Sequence, residues 1–448
     1  MVLAHPNNRP PATHRAAGSP APPPGTRAHP GVIGLDFGTT NSAVAVAARG
    51  GGVPRLARFS DGSATFRSVL YVDPELPGAN GLPPRVSAGP AAIDDYLATG
   101  QRGRLIQSIK AHLGSRLFTS TNLFGVQYGL EELVGLLVRE LRAAAEADLG
   151  DLGRAVVCGR PARFSRAETA EDDALAERRL RAALGLAGFD DIVFEYEPVA
   201  AALGYRQRLD HEELVLIADF GGGTSDFSLV RLAPSRAEIV GVDGVAVAGD
   251  AFDGRLIRHL AAPGLGLGAE YRSAFGRVLP VPLWLYECVE RWDQLSFLKT
   301  RETSELLQRL RHEALEPDRI AALQHLVDDE LGFQLHAAVE RTKHALSAQA
   351  ETVFAFHDTP IDLETSVGRP AMERWITQQR QAIARTVDEL VARHGIAPGD
   401  VDTVFLTGGS AFVPAVRQLF ADRFGADRLR GGEELTTVAT GLALRARG

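Results

Sequence analysis

Residues 34–42 read Gly34-Leu-Asp-Phe-Gly-Thr-Thr-Asn-Ser42, and residues 219–226 read Asp219-Phe-Gly-Gly-Gly-Thr-Ser-Asp226. Apolar runs flank both: Gly31-Val-Ile33 and Ala43-Val-Ala-Val46 around the first, Leu214-Val-Leu-Ile-Ala-Asp219 and Phe227-Ser-Leu-Val230 around the second. A short Gly/Thr turn between two apolar runs predicts a pair of buried strands joined tightly, with backbone amides and hydroxyls free to face a ligand. Phosphate suits such a turn, because glycine lets the main chain come within hydrogen-bonding distance of its oxygens. An aspartate in the same turn would repel a bare phosphate and makes sense beside one when a divalent cation or its water lies between. One such hairpin is weak evidence. Two, one in each half of the chain, predict related lobes facing each other, with Asp36 and Asp219 across a cleft sharing a metal and a polyphosphate.

The rest of the composition fits that frame. At 448 residues the chain exceeds what one core usually organises, so two lobes are expected. A net charge of −8 argues against nucleic acid or an anionic membrane as principal partner. Cys158 and Cys288 lie far apart, outside any metal-ligating or disulfide framework. No apolar run approaches the roughly 18 residues of a membrane span and no secretory leader is recognisable, so a cytoplasmic location is expected. Residues 1–30, rich in Pro, Ala, Gly and Arg, are expected to form a disordered tail.

Along the chain, Asp61-Gly62 predicts a turn between strand-like flanks, followed by a strand at Val69-Leu-Tyr-Val72, together an antiparallel unit. Leu130, Leu133, Val134, Leu137 and Leu141 recur at helical spacing until Gly150, and residues 167–188 predict an exposed helix. Pro198 suits the first turn of a helix, from whose start Glu197 projects. His336, Glu340 and His344 share a helical face, an arrangement that invites zinc but lacks a third or fourth ligand of suitable spacing.

The two hairpins, Glu197-Pro-Val-Ala-Ala-Ala202 between them, and Leu406-Thr-Gly-Gly-Ser410 near the end together resemble the actin, hexokinase and heat-shock-chaperone ATPase superfamily. Within it the chain is similar to DnaK-type chaperones, through Ile109-Lys110 before Leu113-Gly114, Asp250-Ala-Phe-Asp-Gly-Arg-Leu256 and Glu340-Arg-Thr-Lys-His-Ala-Leu-Ser347. The resemblance implies an α/β actin-like ATPase fold of two lobes, each on a ribonuclease-H-like sheet, with the nucleotide in the cleft. It implies lobe I at 31–213, lobe II at 214–433 with an enlarged helical subdomain at about 253–350, and a C-terminal helix at 434–448 returning to lobe I.

Carried over by position, the resemblance implies that Asp36 and Asp219 hold Mg2+ through water. Gly38, Thr39, Thr40 and Asn41, with the amides of Gly221, Gly222, Gly223 and Thr224, would cradle the phosphates of ATP or ADP. Lys110 would stabilise charge on the γ-phosphoryl group and orient water, Glu197 and Asp226 would support the metal's water shell, and Thr224 would lie near the transferred phosphate. Glu340, Lys343 and Ser347 would bind the nucleoside with the turn Gly408, Gly409 and Ser410. Where the family carries arginines against the two faces of adenine, this chain has His344 and Phe412. Pro161 matches the family's interlobe switch proline, but Thr169 stands where its arginine is expected. No acidic, leucine-rich linker or peptide-binding β-domain follows the last helix, so peptide clamping in the usual manner is not expected within these residues. The long interval between Asp253 and Glu340, with Trp284, Tyr286 and Trp292, resembles the YegD-type group and is a candidate surface for protein clients or a co-chaperone. The expected function is a slow, Mg-dependent ATPase acting as a chaperone-type switch. A small-molecule, sugar-type kinase of the superfamily or an actin-like filament or scaffold protein is the alternative.

Overall fold

The structure, a computed structural model, describes residues 32–47, 54–73, 85–99, 103–206, 209–234, 236–431 and 437–445; the tail expected at 1–30 lies outside them.

Two sheets organise the chain. In the first, the strands run in the order Asp191–Tyr196, Ala155–Arg160, Val32–Asp36, Asn41–Ala47, Arg55–Leu56. In the second the order is Arg236–Val245, Ser225–Ala233, Glu213–Phe220, Thr403–Thr407, Leu429–Arg430. Each opens with an antiparallel hairpin, Val32–Asp36 with Asn41–Ala47 and Glu213–Phe220 with Ser225–Ala233. Each then adds two parallel strands on the other side of the first one. The two sheets therefore share one strand order and one set of directions. This is the doubled ribonuclease-H-like α/β architecture, and the sequence repeat of the hairpins is its visible trace.

Alternation along the strands builds a layer on each face. Ile33 and Leu35 point into a core with Leu133, Leu137, Leu141, Leu180 and Leu184 of the helices Leu130–Leu149 and Ala170–Leu186. Gly34, between them, faces the other way, and the helix Thr437–Arg445 lies so close that a methyl there would sit 2.2 Å from the Ala439 carbonyl. That helix packs Ala439 and Ala443 on Ala43, Ala45 and Ala47, and Val438 and Leu442 on Val157, Ala200 and Ala201. The helix Glu197–Arg206 also reaches the second sheet, where Ala202 packs with Val215, Ile217 and Val230. Small residues make the approach possible: a methyl on Gly441 would lie 1.8 Å from the Ala200 carbonyl. The outer face of the second sheet packs Leu216, Phe220 and Phe227 on Phe252, Val387 and Phe420.

Some expectations are corrected. The turn at Asp61-Gly62 forms, with Gly62 donating to the Phe59 carbonyl at 2.8 Å. Its flanks Arg55–Leu56 and Phe66–Arg67, however, both pair with Asn41–Ala47 rather than with each other, and Val69–Val72 joins a separate three-stranded sheet. The helix expected to be exposed at 167–188 buries Ala176, Leu180, Ala183 and Leu184, because its alanines form one face against Leu130–Leu149. Thr169 caps it by accepting from the Asp172 amide, a capping box in the place of the expected arginine.

The part of the second lobe expected to be enlarged carries the helices Leu283–Glu290, Arg301–Glu313 and Pro317–Asp328. It also holds a hairpin, Glu270–Arg272 with Val278–Pro280, whose three-residue strands are too short to show a period in the sequence. Tyr286 is buried and donates to the Leu265 carbonyl at 3.2 Å, whereas Trp284 is exposed; the Trp292 side chain lies outside the described residues. Among the described residues no helix is long and apolar enough to cross a membrane.

Candidate functional site

The two glycine-rich turns end their strands at one place. Asp36 is the last residue of Val32–Asp36, and Asp219 the penultimate one of Glu213–Phe220. The turns approach so closely that a methyl on Gly222 would stand 2.1 Å from Thr40 Oγ1. A cavity of about 450 Å³ opens around this approach. Asp36, Gly38, Thr39, Thr40 and Asn41 line it from one side and Asp219, Gly221, Gly222, Thr224 and Asp226 from the other. Lys110, Glu197, Glu340, Lys343, His344, Gly408, Gly409 and Ser410 complete the set.

At its floor sits a buried ion pair. Lys110, on the short 3-10 turn Ile109–His112, donates to Glu197 Oε1 at 2.8 Å, and both side chains are nine-tenths buried. Gly159 leaves the room for the Glu197 side chain, whose Cγ lies 2.9 Å from where a methyl there would stand. Burial works against the Lys110 charge, but Glu197 and Asp36 outweigh it and raise its pKa, so the ammonium is held. The carboxylates around it carry the opposite strain. Asp36 is pushed well above the usual carboxylate range by burial and then by Glu197 and Asp219. Asp219 is raised by burial and Glu197, although Thr407 donates to its Oδ1 at 2.7 Å. Asp226, accepting from Thr224 Oγ1 at 3.0 Å, is pushed up to about 7 by burial and by Asp219.

One ammonium among four acidic side chains, of which Glu197 is buried and Asp36, Asp219 and Asp226 are half-buried, makes a place that favours a further cation. Among the described residues no three His, Cys, Asp or Glu side chains converge closely enough to ligate a metal ion directly. A cation here would thus be held through water and through oxygens of an anionic ligand. The residues present fit magnesium and a polyphosphate: unpaired carboxyls on two facing turns, glycine backbone within reach, and Lys110 between.

The other end of the cavity is walled by the helix Gly332–Ala348. Lys343 Nζ pairs with Asp253 Oδ2 at 2.7 Å, and Glu340 accepts from Arg67 Nη2 at 3.3 Å. Burial would raise the Glu340 pKa, but Arg67 and Lys343 prevail and lower it. His344 lines the cavity, largely exposed, its Nε2 4.0 Å from Glu340 Oε1. The Gly408 turn enters with φ +83°, pressed so tightly on the Phe220 carbonyl that only glycine fits.

Three of the expected residues stand apart from the cavity lining. Ser347 turns its hydroxyl back onto the Lys343 carbonyl at 3.0 Å, the usual local competitor for a helical serine. Phe412 is half-exposed at the end of the turn Gly409–Phe412 and does not line the cavity. Gly223 lies just behind the lining, next to Asp250. Of the zinc-like trio, His336 lines the cavity but commits its Nε2 to the Val289 carbonyl at 3.0 Å.

The structure adds residues that sequence reasoning left without a role. Asp250 lines the cavity beside Gly222, its amide bonded to the Gly222 carbonyl at 2.8 Å, and burial with Asp253 next to it raises its carboxyl to about 6. Asp253 Oδ1 is buried without a hydrogen-bond partner. Thr407 and Arg67 line the cavity as well. The segment containing Asp250 and Asp253 was visible as a motif, but nothing in its spacing told which carboxylates would face the glycine turn.

A protein-family model described as Hsp70 protein matches residues 100–263 and 316–447. The match covers Lys110, Glu197, the second hairpin and the Gly332–Ala348 helix; it leaves out residues 1–99, with the first glycine turn and Asp36, and residues 264–315, which hold the short hairpin and the helices Leu283–Glu290 and Arg301–Glu313.

Proposed function

The chain belongs to the Hsp70 family, and from that premise we propose that it is a magnesium-dependent, slow ATP hydrolase whose lobes act as a nucleotide-driven, chaperone-type switch. The actin-like ATPase fold and an ATP-binding, chaperone-type role come with the family. What supports the finer reading is one arrangement: two glycine-rich turns facing each other over the buried Lys110–Glu197 pair.

In this reading the Gly38–Asn41 and Gly221–Thr224 backbones hold the β- and γ-phosphates. Asp36 and Asp219 would hold magnesium, which would supply charge neutralisation to the phosphates. Lys110, kept charged by Glu197, places its ammonium where negative charge develops and orients the attacking water. Glu197 and Asp226 accept hydrogen bonds from that water network. Glu340, Lys343 and the Gly408–Ser410 turn hold the nucleoside. The enlargement between the two matched segments supports placing the chain in the YegD-type group, and its exposed Trp284 is where a protein partner would be sought.

Isothermal titration with ATP and ADP, with and without magnesium, tests the reading, together with single-turnover hydrolysis by wild-type and Lys110→Ala protein. Magnesium-dependent binding of both nucleotides and slow turnover lost in the variant are expected. A chain indifferent to both nucleotides would sink the proposal.

A further inference from the structure

The strand Arg104–Gln107 runs antiparallel to Val69–Val72, with Gln107 opposite Val69. Alternation along it sends Ile106 toward the core of the first sheet and Leu105 toward the separate cluster of Val69, Tyr71 and Tyr96. Gln107 shares the face of Leu105, where the pattern calls for an apolar side chain, and carries a carboxamide instead. Its Nε2 is buried and, among the described residues, has no hydrogen-bond partner. Burying an amide donor without a partner is unfavourable, and folds retain such groups at sites where a ligand supplies the acceptor. Gln107 lines the cavity onto which the two glycine turns open. Ser108 follows at φ +54°, a left-handed conformation that serine rarely adopts, and turns the chain into Ile109–His112, which carries Lys110. Over residues 107–110 one bend thus presents the cavity with an unpartnered amide donor and an ammonium.

We propose that Gln107 is the residue by which the cavity tells a nucleoside triphosphate from a diphosphate: its Nε2 donates to an oxygen of the terminal phosphoryl group, alongside the Lys110 ammonium. The inference rests on the ATP-binding reading above, in which Lys110 meets that phosphoryl group. The chemistry is selective in sign. An N–H donor calls for an acceptor, and the positive field of Lys110 beside it makes that acceptor an anion. Lys110 alone discriminates poorly, because its charge is already engaged by Glu197 at 2.8 Å and a point charge answers any anion nearby. The carboxamide has a fixed direction and a short reach, and a diphosphate leaves it as unpartnered as it is in the ligand-free chain.

The test is equilibrium titration of the full chain, with magnesium, using ADP and the non-hydrolysable β,γ-imido analogue of ATP. Gln107→Leu, which keeps the bulk and removes the donor, should weaken the triphosphate analogue about ten-fold and leave ADP within about two-fold of wild type. Gln107→Glu, of the same shape, should weaken the analogue further, since a carboxylate there repels the terminal phosphate. Thermal melting of the ligand-free chain separates this role from a structural one: Gln107→Leu should be at least as stable as wild type, because the orphaned donor is gone. An unchanged ratio of triphosphate to diphosphate affinity in both variants, an equal loss for both nucleotides, or a ligand-free midpoint well below wild type in Gln107→Leu overturns this inference alone. Wild-type protein that binds neither nucleotide removes the functional reading and the inference together.

Discussion

Replacing Lys110 with methionine tests the site's electrostatics with the fewest assumptions. Lys110 is the cation that holds down the pKa of Asp36, Asp219 and Asp226 together, and it is bonded to Glu197 at 2.8 Å with both side chains nine-tenths buried. Methionine keeps the apolar stem and removes only the charge. The Glu197 carboxylate is then buried beside three others with nothing to balance it. Breaking a buried pair in this way costs about 3–5 kcal/mol. Urea unfolding of the ligand-free chain at pH 8 should show that loss as a lower midpoint at unchanged slope. Adding Glu197→Gln should recover most of it, since the orphaned charge is gone. Hydrolysis should behave differently. Single-turnover ATP cleavage should fall about 10²–10³-fold in Lys110→Met and stay low in the double variant, because neutralising Glu197 does not return a cation to the phosphates. Stability and activity would thus separate on one pair of side chains. Lys110→Met within 1 kcal/mol of wild type, or a double variant no more stable than the single one, would refute the argument.

The raised carboxyl of Asp226, at about 7 when folded against 3.8 in its unperturbed state, gives a pH dependence of definite sign. The protonated form adds stability that is full below pH 3.8 and is lost as pH rises through about 7, so the ligand-free chain should weaken between about pH 4 and 7 and Asp226→Asn should flatten that slope; parallel profiles would contradict it. Binding of magnesium-ADP should draw Asp226 and its neighbours into the ionised form and release about one proton near pH 6.5, measured by calorimetry in buffers of different ionisation enthalpy. Absence of proton release would separate these carboxyls from the ligand. Gly441→Ala should lower stability by about 3 kcal/mol, because the methyl would lie 1.8 Å from the Ala200 carbonyl between the two helices that join the lobes; a thermal midpoint equal to wild type would show that the helices can part freely.

The parts of this molecule legible in the sequence are those whose chemistry is local. A Gly/Thr turn between apolar runs, a leucine stripe ending at Gly150 and a proline in the first turn of a helix each announce themselves within one continuous stretch of chain, and the doubling of the first exposed the doubled sheet. What stayed hidden depends on partners far away in the chain. Arg67 meets Glu340 across 273 positions, and Asp250 comes to Gly222 through a strand pair and a bend. Ser347 and Phe412 carried suitable side chains at suitable spacing, yet a hydroxyl bonded back to its own helix and a ring at the outer end of its turn stand off the cavity. Spacing places a residue on a face but does not say which way its rotamer resolves competing bonds. The converse is more telling. Asp36, Asp219, Asp226 and Glu197 crowd around one lysine; the hydroxyls of Thr407 and Thr224 donate to Asp219 and Asp226, but among the described residues Lys110–Glu197 is the one ion pair the group makes. A fold keeps such a debt only where something else balances it, and the two glycine turns, open to that same spot and too close together for any side chain, leave space for an anionic ligand that brings its own cation.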